Sequence, residues 1–144
     1  MERPLSRRMR TWGEEPPDSP HVWHTLGYRH AERGDGFVVI EWDATEEYSF
    51  RDPSGPIVHG GLVATLLDTA MGGACWTVLE DGESFLTADL RVEFYRSARP
   101  GTLRAHGRVV QRTRRVAFCE AELADTDGRV LAASRCTQLI RARG

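Results

Sequence analysis

Residues 59–73 read HGGLVATLLDTAMGG, and the reading of this stretch decides the fold. It opens like a tight turn, with two glycines after a histidine. It then places Leu62, Val63, Leu66, Leu67, Ala70, Met71, Ala74 and Val78 at helical spacing. The spacing predicts a helix from about 60 to 79, ended by EDGES at 80–84. A helix apolar on most sides is buried on most sides. Within that apolar run stands one carboxylate, Asp68.

Working outward, the hydrophobic period changes from 3.6 to two. Ahead of the helix, residues 21–30 suit a short helix leading into a strand. Gly34-Asp35-Gly36 is a turn, FVVIEW at 37–42 is a strand, and RDPSGP at 51–56 is a loop punctuated by two prolines. After the helix come FLTADLRVEFY (85–95), TLRAHGRVV (102–110), VAFCEAEL (116–123) and RVLAASRCTQLI (129–140) as strands, with ARPG at 98–101 and DTDG at 125–128 as turns. In the second of these, Leu103, Ala105, Gly107 and Val109 alternate with Arg104, His106 and Arg108; in the third, Ala117, Cys119, Ala121 and Leu123 alternate with Val116, Phe118, Glu120 and Glu122. Links of hairpin length make the four strands antiparallel neighbours. One sheet and one dominant helix is an α+β plan. A single sheet cannot cover such a helix on every side, and a second copy of the chain is the simplest cover.

The residues around Asp68 on its helix face are Gly61, Ala64, Thr65, Gly72 and Cys75, all small. Gly72 and Gly73 each cost roughly 1 kcal/mol relative to Ala inside a helix, so they serve close packing. A carboxylate on that stripe is costly unless it is paired or does chemistry. Two uses stay open: satisfaction by amides or an arginine in a subunit interface, or catalysis. At the helix start, Gly60 and Gly61 leave amides uncovered, and free N–H groups at a helix N-terminus suit a carbonyl oxygen gaining charge. His59 either donates a further hydrogen bond or caps the helix. Gly60 and Asp68 are eight residues apart, roughly 12 Å along the axis. One small reacting group cannot touch both within a chain, so cooperation requires the acid of one protomer and the amide of another.

The bulk numbers exclude several classes. The 144 residues are the usual size of one domain, with a net charge of −2 that does not suggest a nucleic-acid binder. All 19 basic residues are Arg. Cys75, Cys119 and Cys136 lack metal-ligand spacing and sit in apolar stretches, which reads as buried reduced thiols in a cytoplasmic protein. No run approaches the ~20 apolar residues of a membrane helix. Residues 1–20 carry charge without an apolar signal-peptide core and read as a flexible arm ahead of one domain at 21–144. There is no GxSxG elbow, P-loop or GxGxxG, so Ser84, Ser97 and Ser134 are poor nucleophiles.

H-G-G followed by a helix, with Asp nine positions after the His, resembles the PaaI-type hotdog-fold thioesterases. So do T-A-D-L-R-V-E-F-Y at 87–95 with R-P-G at 99–101, and the QRTRR and DTDGRVLAA segments between 111 and 133. The resemblance covers roughly residues 25–140. It implies a curved antiparallel sheet wrapped around the helix, protomers that join their sheets into a homodimer, and dimers that pair into a tetramer. It implies acyl-CoA thioesters as substrates, with no metal and no cofactor. By the same resemblance, Gly60 polarises the thioester carbonyl, Asp68 acts from the other subunit as base or nucleophile, Thr87 helps place the water, and His59 hydrogen-bonds near the thioester. Gly61 lies beside that site. Related enzymes often carry Asn or Gln ahead of HGG; here Asp52 stands nearest, with no amide to donate when ionised, and its expected part in substrate binding is to help position water. Arg112, Arg114 and Arg115 sit at a hairpin connection, where they either bind CoA phosphates or form a solvated turn. Trp76, Phe85 and Met71 are candidates to line the acyl pocket. A non-catalytic acyl-CoA-binding protein and a hydratase are the competing expectations.

Overall fold

The structure is a computed structural model that describes residues 21–142; the expected arm at 1–20 lies outside the described residues. A short helix α1 (His21–Leu26) leads into strand β1 (Arg29–Gly34), as the ambiguous segment suggested. Strand β2 (Phe37–Ala44) follows across the Gly34–Gly36 turn. After a 3₁₀ turn (Glu46–Tyr48), strands β3 (Ser49–Asp52) and β4 (Gly55–Val58) form a small separate ribbon. Helix α2 (Gly60–Thr77) comes next, then β5 (Glu83–Phe94), β6 (Gly101–Arg112), β7 (Val116–Ala124) and β8 (Val130–Ala142).

Six strands make one antiparallel sheet in the order β1-β2-β6-β7-β8-β5. Helix α2 lies across it, the α+β hotdog arrangement that the resemblance implied. The alternation in β6 and β7 faces the helix as expected: Leu103, Ala105, Ala117, Cys119, Ala121 and Leu123 are all buried. Leu66, Leu67 and Met71 are 0% exposed, each stabilising the fold by roughly 1.5–3 kcal/mol through burial.

Two expectations are corrected. Residues 51–56 are not a plain loop: Arg51 pairs with Pro56, and Asp52 with Gly55. Proline is tolerated because this ribbon has only two strands, so an unpaired outward side costs nothing. The second correction concerns β5. Its short link to β6 suggested a hairpin, yet β5 pairs with β8 and ends the sheet as an edge strand. The connecting segment crosses the end of the sheet instead, held where Tyr95 and Arg96 donate to the Leu131 carbonyl and Val58 donates to that of Ala98.

Of the two helical glycines, Gly73 serves close packing, and Gly72 has room for a methyl group. A Cβ on Gly72 would meet the Phe85 ring at 3.4 Å, and one on Gly73 would meet Val38 at 3.0 Å. The helix runs antiparallel to β5, with Gly60 beside Phe94 at one end and Gly72 beside Phe85 at the other. No helix among the described residues is long and apolar enough to cross a membrane.

Candidate active site

Asp68 sits at the middle of α2, half-buried, on the side facing the edge strand. Burial raises its pKa above the ordinary carboxylate value, and a hydrogen bond from Thr87 opposes that rise. The Thr87 hydroxyl is 3.1 Å from Asp68 Oδ1 and 3.0 Å from Gln138 Oε1. Thr87 reaches the acid because a bulge after it resets the alternation of β5, so that Thr87 pairs with Gln138 and Leu90 with Cys136 on the helix-facing side. Gln138 is a functional candidate that the sequence reasoning did not single out. The signal was present: it occupies an inward position between Cys136 and Ile140, a polar side chain on an apolar face.

The helix start is built by His59, its N-cap. Its Nδ1 accepts from the Gly61 N–H at 3.1 Å, and its carbonyl accepts from Leu62 and Val63 at 2.9 and 3.2 Å. Three of the first four amides are thereby satisfied, and among the described residues the Gly60 N–H is left. The cap also fixes the histidine tautomer. A ring whose Nδ1 accepts carries its proton on Nε2, which is then free to donate outward. Gly61 therefore shapes the turn through its bond to His59, and Gly60 is the open amide. Beside Gly60 lies an open groove of about 330 Å³, bordered by Phe50, Ile57, Val63, Phe94 and Leu131 among others.

Other expected site residues fall elsewhere. Asp52 Oδ2 accepts from the Ser54 N–H at 2.9 Å and from the Ser54 hydroxyl, within the β3–β4 turn. Those bonds hold its carboxyl below the ordinary value. Arg99 clamps the same turn through Ser54 Oγ and the Pro56 carbonyl. Arg112 is bound up in the fold: it donates to both carboxylate oxygens of Glu83, at 2.8 and 2.6 Å, and to the Val78 carbonyl beyond the helix end. Arg114 and Arg115 are exposed in the β6–β7 turn. Met71 is enclosed in the core with the Ser134 hydroxyl 3.5 Å from its sulfur, which removes it from any pocket wall. The three cysteines are buried and free. The Cys119 hydrogen bond and burial push the Cys136 thiol up, so it stays protonated. Among the described residues no group of His, Cys, Asp and Glu could hold a metal ion.

In one chain the acid and the open amide stand apart, at Thr87 and at Phe94, seven residues along β5. The inward-facing Leu90 and Phe94 of that strand are 41% and 55% exposed. The arrangement can hold a water against a raised-pKa carboxylate at one place and receive a polarised carbonyl at another.

Comparison with known proteins identifies the family and the fold. Residues 55–132 match the model of the thioesterase superfamily. A Saccharolobus solfataricus protein named as an esterase is 30% identical over 95 residues, 66% of this chain and 65% of that one. The chain spans less than two thirds of the length of the curated relatives it matches, 65% and 60%. A solved structure of a phenylacetic acid degradation-related protein from Ralstonia eutropha JMP134 is 32% identical, with a TM-score of 0.78 over 92% of this chain and 96% of that one. The Escherichia coli PaaI protein shares the fold, with a TM-score of 0.76 over 88% and 87% at 21% identity.

Proposed function

The chain belongs to the thioesterase superfamily, and on that premise we propose that it hydrolyses acyl-CoA thioesters at a site shared by two protomers. The observation that carries this reading is Asp68, a half-buried carboxylate of raised pKa held by Thr87 on a free sheet edge.

The chemistry runs as follows. The thioester carbonyl oxygen accepts from the Gly60 N–H, and the positive end of the helix stabilises the charge gained there. Asp68 takes a proton from water as the water oxygen bonds to the carbonyl carbon. The tetrahedral intermediate collapses, the C–S bond breaks, and the CoA thiolate leaves and takes up a proton. A raised pKa brings the base closer to the working pH. The Nε2–H of His59 lies on the helix-start side to hold the thioester. The groove beside Gly60 is apolar enough to take the substrate's uncharged part. Of the three arginines at the β6–β7 connection, Arg114 and Arg115 are exposed and can meet the CoA phosphates.

The edge strand supports a dimer. Asp68 is tied to Thr87, and Gly60 packs on Phe94. Antiparallel pairing of β5 with a partner's β5 sets Leu90 against Val92 and Asp89 against Glu93 about a two-fold axis at Arg91. The bulge after Thr87 then brings Thr87 opposite the partner's Phe94. That register carries Asp68 of one protomer toward Gly60 of the other, closing the 12 Å gap that a single helix leaves, roughly eight residues at 1.5 Å each. It also covers the exposed inward face of Leu90 and Phe94.

The test is thiol release from short, medium, long, phenylacetyl and hydroxybenzoyl CoA esters, with wild type and Asp68→Asn side by side. Hydrolysis that falls about 10²–10⁴-fold in the variant supports the general base. Turnover equal to wild type in Asp68→Asn overturns it. Tight CoA-ester binding without turnover in either protein replaces the enzyme with a binding protein.

A further inference from the structure

Thr87 has one hydroxyl proton and two acceptors, Asp68 Oδ1 at 3.1 Å and Gln138 Oε1 at 3.0 Å. It cannot donate to both. Gln138 is 0% exposed and cannot turn to water. Its Nε2 lies 3.2 Å from Cys136 Sγ, which keeps the carbonyl end toward Thr87. We propose that Gln138 is a positioning residue for the base: its side-chain carbonyl accepts the hydrogen bond of the Thr87 hydroxyl whenever Asp68 carries a proton of its own. This rests on Asp68 being the base.

Two arrangements alternate. When Asp68 is ionised, its charge makes it the stronger acceptor, and the Thr87 proton goes to Oδ1. Gln138 Oε1 then faces a hydroxyl lone pair without a proton between them, in a buried place where an unmade hydrogen bond is costly. When Asp68 is protonated, its O–H donates to Thr87 Oγ1, and Thr87 donates onward to Gln138. Every member of that chain is satisfied. Gln138 therefore favours the neutral acid, in the same direction as burial, and so makes Asp68 a more willing proton acceptor from water. The titratable side chains facing this chain from the inner side of the sheet are thiols, Cys75 on α2, Cys119 on β7 and Cys136 on β8; the charged residues of the same strands, Asp89, Arg91, Glu93, Glu120, Glu122 and Arg135, alternate onto the opposite face. Cys136, raised in part by Asp68 itself, stays neutral and adds no competing charge.

The experiment is the pH profile of kcat/KM for Gln138→Leu, with Gln138→Met as a second variant of different shape should the first fail to fold. Alongside it, the Asp68 carboxyl is titrated by carbon-13 NMR, which reads protonation without turnover. The acid limb and the NMR midpoint are expected to move down by about one pH unit, the worth of one hydrogen bond. The plateau kcat should fall severalfold, with KM unchanged. In a Thr87→Val background the same Gln138 substitution should shift neither. An unmoved midpoint overturns the proposal, and so does an upward one, since the amide would then be supporting the carboxylate. Asp68→Asn with full turnover would instead remove the base assignment while the NMR titration still reported whether Gln138 tunes that carboxyl.

Discussion

Gly107 lies so close beneath helix α2 that a Cβ on it would stand 2.3 Å from the Ala70 carbonyl oxygen. The obstacle is backbone, so no side chain can step aside. Gly107→Ala should push the helix off the sheet and cost about 1–3 kcal/mol, the usual range for overpacking. Gly72→Ala makes the contrast. Its Cβ would meet the Phe85 ring at 3.4 Å, an ordinary contact, and the helix gains about 1 kcal/mol of propensity. Urea unfolding of both variants should therefore show opposite signs. A Gly107→Ala protein as stable as wild type would mean that the helix and β6 are not in this close contact.

Arg112 ties the end of the helix to the start of β5, through the Val78 carbonyl and the Glu83 carboxylate. Both side chains are mostly covered, at 17% and 14% exposure. Removing Arg112 takes the counter-charge away from a mostly covered carboxylate, a loss of about 3 kcal/mol or more. Arg112→Met should lower the melting temperature sharply and leave KM for acyl-CoA unchanged in the folded fraction. A raised KM with an unchanged melting temperature would return Arg112 to the phosphate site. Arg114→Ala and Arg115→Ala should behave in the opposite way, raising KM without a change in stability.

These positions also show what the sequence could reveal. The inward alternation of Leu103, Ala105 and Gly107, and of Ala117, Cys119 and Ala121, was legible because each strand carries its own period of two. Asp68 was legible because one charge in an apolar helix has few uses. The pairing of Thr87 with Gln138 was not, since the two are 51 residues apart and the short β5–β6 link pointed to a different neighbour. Likewise Arg112 and Glu83 meet across 29 residues, and no local pattern marks an arginine for a helix end rather than for solvent. The bulge after Thr87 was hidden for the same reason: β5 reads as an even alternation until its register against β8 is known.

The proposed two-fold axis at Arg91 makes a sharp chemical prediction. In an antiparallel pair, residues directly opposite have Cα atoms about 4.5–5.5 Å apart, within the range of a disulfide. Arg91→Cys should give a covalent dimer under mild oxidation on a non-reducing gel. Glu93→Cys should not, because Asp89 of the partner stands opposite it. The native thiols are buried and would not interfere. Cross-linking through Glu93→Cys but not Arg91→Cys would move the axis by two residues and the register by four, and separate Asp68 from the partner's Gly60.

Asp68 should also trade stability for activity. Burial raises its folded pKa above the unfolded value near 3.8. For such a group the favourable contribution is complete below the unfolded pKa and is lost as pH rises through the folded one. At pH 7–8 the ionised carboxylate is therefore a burden on the fold, and Asp68→Asn removes it. The variant should melt higher than wild type at pH 8, with the difference shrinking as the pH is lowered toward 4, while hydrolysis falls about 10²–10⁴-fold. Thermal melts of both proteins across that pH range, paired with thiol-release rates, separate this from simple structural damage. A variant that melts lower than wild type at every pH would show that the carboxylate is a stabilising partner of its surroundings, and that its burial is structural rather than the cost of a poised base.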